Sequence, residues 1–184
     1  MLKFVSALLL LASACHIAPA QEASATPKAG AVTQGQTNPT PAPAASLLTV
    51  GGEVERPLKL TAADLAKLLR RTVSAKDHGG KEASFEGVEL GEVLKLAGVK
   101  FGEGLGGKSL ALFLVVDASD GYRAVFALPE LDAAFTDHVI LLADRRDGKP
   151  LADTEGPLRI VVPEEKRQAR WVRQVVALTV RRAE

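Results

Sequence analysis

The side chains best suited to chemistry cluster near the end of the chain. Gly156-Pro157-Leu158-Arg159-Ile160-Val161-Val162-Pro163 is followed by Lys166-Arg167-Gln168-Ala169-Arg170-Trp171-Val172. An apolar, strand-like run carries Arg159 and stops at Pro163, and a basic loop then leads to the single tryptophan. Guanidinium groups are planar forks of hydrogen-bond donors and suit a planar, anionic ligand. Arg159, Arg167 and Arg170 are therefore candidate ligand-binding residues. The competing reading is structural: Arg159 pairs with an acidic neighbour and Trp171 fills the core, as aromatic side chains commonly do.

The rest of the inventory is thin. His78 stands in the turn-like Asp77-His78-Gly79-Gly80. Asp77 and His78 are of metal-ligating type, but no third ligand stands at a diagnostic spacing, so His78 reads as a solvated turn residue. His138 follows Thr136-Asp137 and reads as the edge of a strand. No Gly-x-Ser-x-Gly elbow, phosphate-binding P-loop or paired-cysteine signature occurs. The glycines between Gly102 and Gly107 neither follow a strand nor open a helix, which argues against a dinucleotide site. With 23 Lys+Arg against 22 Asp+Glu, the chain has no overall charge that would draw it to nucleic acid or an anionic membrane.

The first twenty residues have the order of a secretory signal peptide: Lys3, an apolar run from Phe4 to Ala14, then Ala18-Pro19-Ala20 as the cleavage site. The protein is therefore expected to be exported, to a periplasm or the outside. A second reading takes Ala12-Ser13-Ala14-Cys15 as a lipobox, and only lipidation of Cys15 would tie the protein to a membrane. Cleavage after Ala20 removes Cys15, the only cysteine, and leaves no thiolate for a metal or a nucleophilic step. Residues 21–46 are rich in Ala, Pro, Thr, Gln and Ser, and read as a disordered linker. The remaining residues, 47–184, are enough for one domain with its own core.

Within that domain, Leu47 to Val50 and Leu58 to Leu60 read as strands. Thr61 is a good N-cap for an amphipathic helix over 62–69, with Leu65, Leu68 and Leu69 on one face. Thr72 to Lys76 reads as a weak strand, with Ala83 to Phe85 leading out of the following turn. Leu90 to Ala97 is a second helix, closed by Gly98. Leu110 to Val116 and Tyr122 to Leu128 pair across Asp120-Gly121, with Tyr122, Ala124, Phe126 and Leu128 on one side. Val139 to Leu142, Pro157 to Pro163 and Trp171 to Val180 complete the strands. The absence of βαβ alternation predicts an α+β fold of mixed β-sheets with short helices.

The order of these segments resembles the molybdopterin-binding domain of the sulfite oxidase family, in a short, stand-alone form. Phe85-Glu86-Gly87-Val88-Glu89-Leu90 is similar to the family's aromatic-x-Gly-Val-x-Leu helix start. Asp120-Gly121-Tyr122, Asp147-Gly148-Lys149-Pro150-Leu151, Gly156 to Pro163 and Arg170-Trp171-Val172 are similar to its later blocks. The resemblance implies a molybdopterin cofactor, with Arg159, Arg167, Gln168 and Arg170 as its contacts. It also implies a cysteine that ligates molybdenum. Counting back from Phe85 places that cysteine at Ala75, with Ser74 the other candidate. Neither side chain replaces a soft thiolate. Glu164-Glu165 also falls where the family often has glycine. The expected function is therefore non-catalytic binding of an anionic small molecule or a partner, with no metal residue in the chain. The alternative is a molybdopterin-dependent oxidoreductase of the sulfite oxidase type, served by a redox partner protein such as a cytochrome.

Overall fold

The structure, a computed structural model, describes residues 45–184. The signal peptide, the lipobox and all but the end of the linker lie outside the described residues. Among these residues ten strands form two five-stranded sheets. The first contains β1 (Leu48–Gly52), β2 (Leu58–Leu60), β5 (Leu112–Ala118), β6 (Arg123–Ala127) and β10 (Val175–Arg182), in the order β2-β1-β10-β5-β6. β1 and β10 run parallel, with Val50 opposite Leu178, and all other neighbours are antiparallel. The second sheet contains β3 (Arg70–Lys76), β4 (Glu82–Glu89), β7 (Leu141–Arg146), β8 (Lys149–Pro150) and β9 (Arg159–Val161). β4 lies between β3 and β7, and β7 also pairs with β8 and β9. One mixed and one antiparallel sheet, with two short α-helices among the described residues, make this the expected α+β fold.

Alternating apolar side chains from both sheets join one core: Leu48, Val50, Leu114, Val116, Phe126 and Leu178 from the first, and Phe85, Val88, Leu141 and Ile160 from the second. Helix α2 (Leu90–Leu96) adds Leu90, Val93 and Leu94. It starts directly from β4, and Gly98 closes it at φ +87°, a backbone region that favours glycine.

Several boundaries differ from those expected, each for a physical reason. Helix α1 (Ala62–Ala66) has the Thr61–Asp64 capping box but stops early. The chain from Arg70 is taken up by seven register pairs with β4, and Leu69 is left 82 % exposed instead of joining a helix face. The tract read as a weak strand with a short exit is thus a full hairpin. Tyr122 lies just before β6 and points outward, because its N–H closes a turn on Asp120 and its hydroxyl donates to the Ala169 carbonyl at 2.6 Å. The last strand starts at Val175 rather than Trp171, since the backbone turns at Gln174 (φ 51°). His138 precedes β7 rather than starting it, and its Nδ1 pairs with Glu164.

Candidate functional site

The β3–β4 hairpin and the loop after Pro163 face each other across an open cleft of about 700 Å³. Ala75 lines it from β3, 5 % exposed, opposite Ala83 in register. Asp77 organises the hairpin turn. Its carboxylate accepts the N–H groups of Gly79 and Lys81, both at 2.9 Å, and pairs with Arg146. The Lys81 N–H first, and Arg146 next, hold its carboxyl below the usual carboxylate range. It is thus a turn-forming and pairing residue. His78 stays exposed beside it, as the sequence suggests.

The cleft's unpaired charge is mainly positive. Lys76, Lys166 and Arg167 all line it, are exposed, and enter none of the ion pairs among the described residues. The lining acids Asp77 and Glu165 are each already held by an arginine, Arg146 and Arg170 respectively. Glu82 alone remains to oppose the three cations. Gln168 spans the cleft: its Nε2 donates to the Lys76 carbonyl, while its Oε1 is buried without a hydrogen-bond partner. An orphaned acceptor beside free cations suits an anion that also carries N–H or O–H donors.

The four candidate ligand residues are not brought together. Arg167 and Gln168 line the cleft. Arg159 does not: it is 1 % exposed in the core, with Nη1 2.8 Å from Glu155 Oε1. The charges are paired, while Nε is buried without a hydrogen-bond partner. The guanidinium carbon is 5.4 Å from the ring centroids of both Phe85 and Trp171, which meet edge to face. Burial pushes its pKa down, and Glu155 opposes this. The structural reading holds for Arg159 and for Trp171, whose Nε1 donates to the Val162 carbonyl at 3.0 Å.

Arg170 faces a second cavity, of about 470 Å³, on the other side of the loop. Its guanidinium is 2.9 Å from Glu130 and 2.5 Å from Glu165, and stacks 4.5 Å from the Phe126 centroid. Burial works against its charge, but the two glutamates outweigh this and its pKa is raised. Sequence reasoning missed Glu130, forty residues away in the chain. A third, smaller cavity of about 230 Å³ is lined by His78, Asp120, Tyr122 and Gln168.

Two sheets, a basic cleft at the β3–β4 hairpin and a closing loop before Trp171 define an α+β domain with its cleft at one sheet edge. A family model described as the oxidoreductase molybdopterin binding domain matches residues 36–184, and the chain belongs to that family. Its fold is similar to that of the sulfane dehydrogenase SoxCD from Paracoccus pantotrophus: TM-score 0.57, 23 % identity, covering 72 % of this chain. The chain spans only 37 % of that protein's chain. No curated protein matches this sequence.

The residues fit the family's group only in part. Lys166, Arg167 and the orphaned Gln168 Oε1 suit the anionic, hydrogen-bonding portion of a pterin. The metal does not fit. At the position expected to supply sulfur the cleft presents the Ala75 methyl, and Ser74 beside it offers a hydroxyl. Among the described residues no group of three or more His, Cys, Asp or Glu side chains could hold a metal ion.

Proposed function

We propose that this is an exported member of the family whose cleft binds an anionic small molecule without performing redox chemistry. The observation that carries the reading is the lining of the cleft: three unpaired cations and a buried, unsatisfied acceptor share it with Ala75, where a metal-ligating thiolate would be needed. Without a protein ligand the polypeptide loses its means of fixing a metal's coordination. Lys76, Lys166 and Arg167 give the ligand its charge complement, and Gln168 Oε1 gives it an acceptor. Export rests on the N-terminal signal order, with lipidation at Cys15 as the route to a membrane.

Family membership supports a second reading, a molybdopterin-dependent oxidoreductase with a redox partner protein. One preparation separates the two. Protein purified from the exported fraction of a host that makes the cofactor is assayed for molybdenum and pterin, then titrated with inorganic pyrophosphate. The binding reading expects no stoichiometric molybdenum, and a pyrophosphate-dependent rise in melting temperature that Arg167→Ala lowers. Stoichiometric molybdenum with sulfite-type turnover would remove it.

A further inference from the structure

The cavity on the Arg170 side of the loop has the opposite character from the cleft. Its wall is largely apolar. Ile140 and Val162, each 5 % exposed, belong to the core, while Phe135 stands 50 % exposed at the same cavity. An aromatic ring left open beside a hollow is a ready partner for a cation, because its face carries negative quadrupole density.

The ionic lining points the same way. Glu130, Glu164 and Glu165 face Arg170 and His138. Arg170 has no charge to spare, since it is shared between Glu130 and Glu165. His138 is engaged with Glu164, and even if it is counted as charged, three carboxylates oppose two cations. Glu165 Oε2 is buried and lacks a hydrogen-bond partner. An anion entering this cavity would meet more carboxylates than cations. A small hydrated metal ion would find no group of ligands among the described residues to replace its water shell. A cation with a hydrocarbon body satisfies both the apolar wall and the acidic lining.

We infer that the cavity bounded by Phe135, Glu130, Glu164 and Glu165 binds a small organic cation of the alkyl- or arylammonium class. The site shares only Glu165 with the anion cleft and does not depend on what that cleft holds.

The test uses the full-length protein and three ligands of similar size: benzyltrimethylammonium, its uncharged tert-butyl isostere, and benzoate. Binding is read from the NMR shifts of the His138 and Phe135 ring protons. The cation should give a saturable shift in the millimolar range or tighter, at least about tenfold tighter than the isostere, and benzoate should give none. Phe135→Ala and Glu164→Gln should each weaken the cation by roughly threefold or more. Both side chains are at least half exposed, so the fold should survive, and a melting curve checks it. If Phe135→Ala unfolds, Glu164→Gln decides alone. Equal binding of benzoate or the isostere, no saturation with the cation, or unchanged affinity in the folded variants would overturn the inference. A pyrophosphate titration followed at His78 reports the cleft separately.

Discussion

Glu165 grips Arg170 from within the same loop, with its Oε1 2.6 Å from Arg170 Nε and 2.5 Å from Nη2. A side chain that the family resemblance assigns to an anionic cofactor thus meets a carboxylate of its own chain, and Glu130 holds it from the other side at 2.9 Å. The loop separates two hollows of different sign. Exposed Lys76, Lys166 and Arg167 dominate the one beside Ala75, and carboxylates dominate the one beside Phe135.

Arg159 should matter for stability and not for ligand binding. Arg159→Ala leaves a cavity between Phe85 and Trp171 and removes the nearer cation from Glu155. Breaking a buried pair from one side costs about 3–5 kcal/mol. Arg159→Met keeps the volume and should cost clearly less. Urea unfolding measures both, and the folded Met variant should bind pyrophosphate as the wild type does. A large loss of pyrophosphate affinity in that variant would return Arg159 to the site.

The glycine of the Phe85-Glu86-Gly87-Val88 block has a steric cause. A Cβ at Gly87 would lie 2.1 Å from the Leu142 carbonyl oxygen and 2.6 Å from Ala143 Cα, where β4 meets β7 beside a register shift. Backbone cannot move aside as a flexible side chain can, so Gly87→Ala should cost about 3 kcal/mol. At Gly121 the space is open and only φ +85° is unfavourable, so Gly121→Ala should cost about 1 kcal/mol. Chemical denaturation of both variants tests the order, and equal losses would contradict it.

How much of this the residues revealed depends on whether the cause was local. Thr61 and Asp64 three positions apart specify a cap, and Gly98 specifies a helix end, whatever the rest of the chain does. The α+β class follows from periodicity and the absence of βαβ alternation, whereas the interest of Ala75 comes from the family resemblance, which places a cysteine there, and the cleft beside it only from the fold. Other features come from pairing across long separations. Glu130 reaches Arg170 over forty residues, and Gln168 reaches Lys76 over ninety-two. The strand start expected at Trp171 and the helix end expected at Leu69 differ from the structure because apolar character alone does not fix an element: Trp171 is a core plug beside a turn and Leu69 is left outside.

Acid should weaken the fold partly through the α1 cap. The Thr61 hydroxyl, then the Thr61 N–H and Lys67, hold Asp64 from its ordinary 3.8 down to about 2. A carboxylate with a depressed folded-state pKa contributes stability that is fully present above its unfolded value. That contribution is lost as pH falls from about 4 towards 2. Asp77, lowered by the Lys81 N–H and by Arg146, acts in the same direction. Asp64→Asn should therefore show a shallower decline of the urea midpoint between pH 4 and 2 than the wild type. Parallel curves would mean that the cap does not titrate as described.

On the proposed reading, two separate departures from the family pattern stand between this cleft and a bound molybdenum cofactor, and each can be altered on its own. Ala75→Cys restores a soft ligand in the cleft, but leaves Arg170 committed to Glu165 and Glu130. Glu165→Gly releases one of those two carboxylates and opens the backbone beside the loop, but offers no sulfur. In a host that makes the cofactor, each single variant should purify with little molybdenum, and the double variant with more than either alone. Elemental analysis, with pterin fluorescence after denaturation, reads this directly. Near-stoichiometric molybdenum in Ala75→Cys alone would show that the carboxylates around Arg170 do not obstruct the cofactor, and that one missing sulfur was the whole barrier.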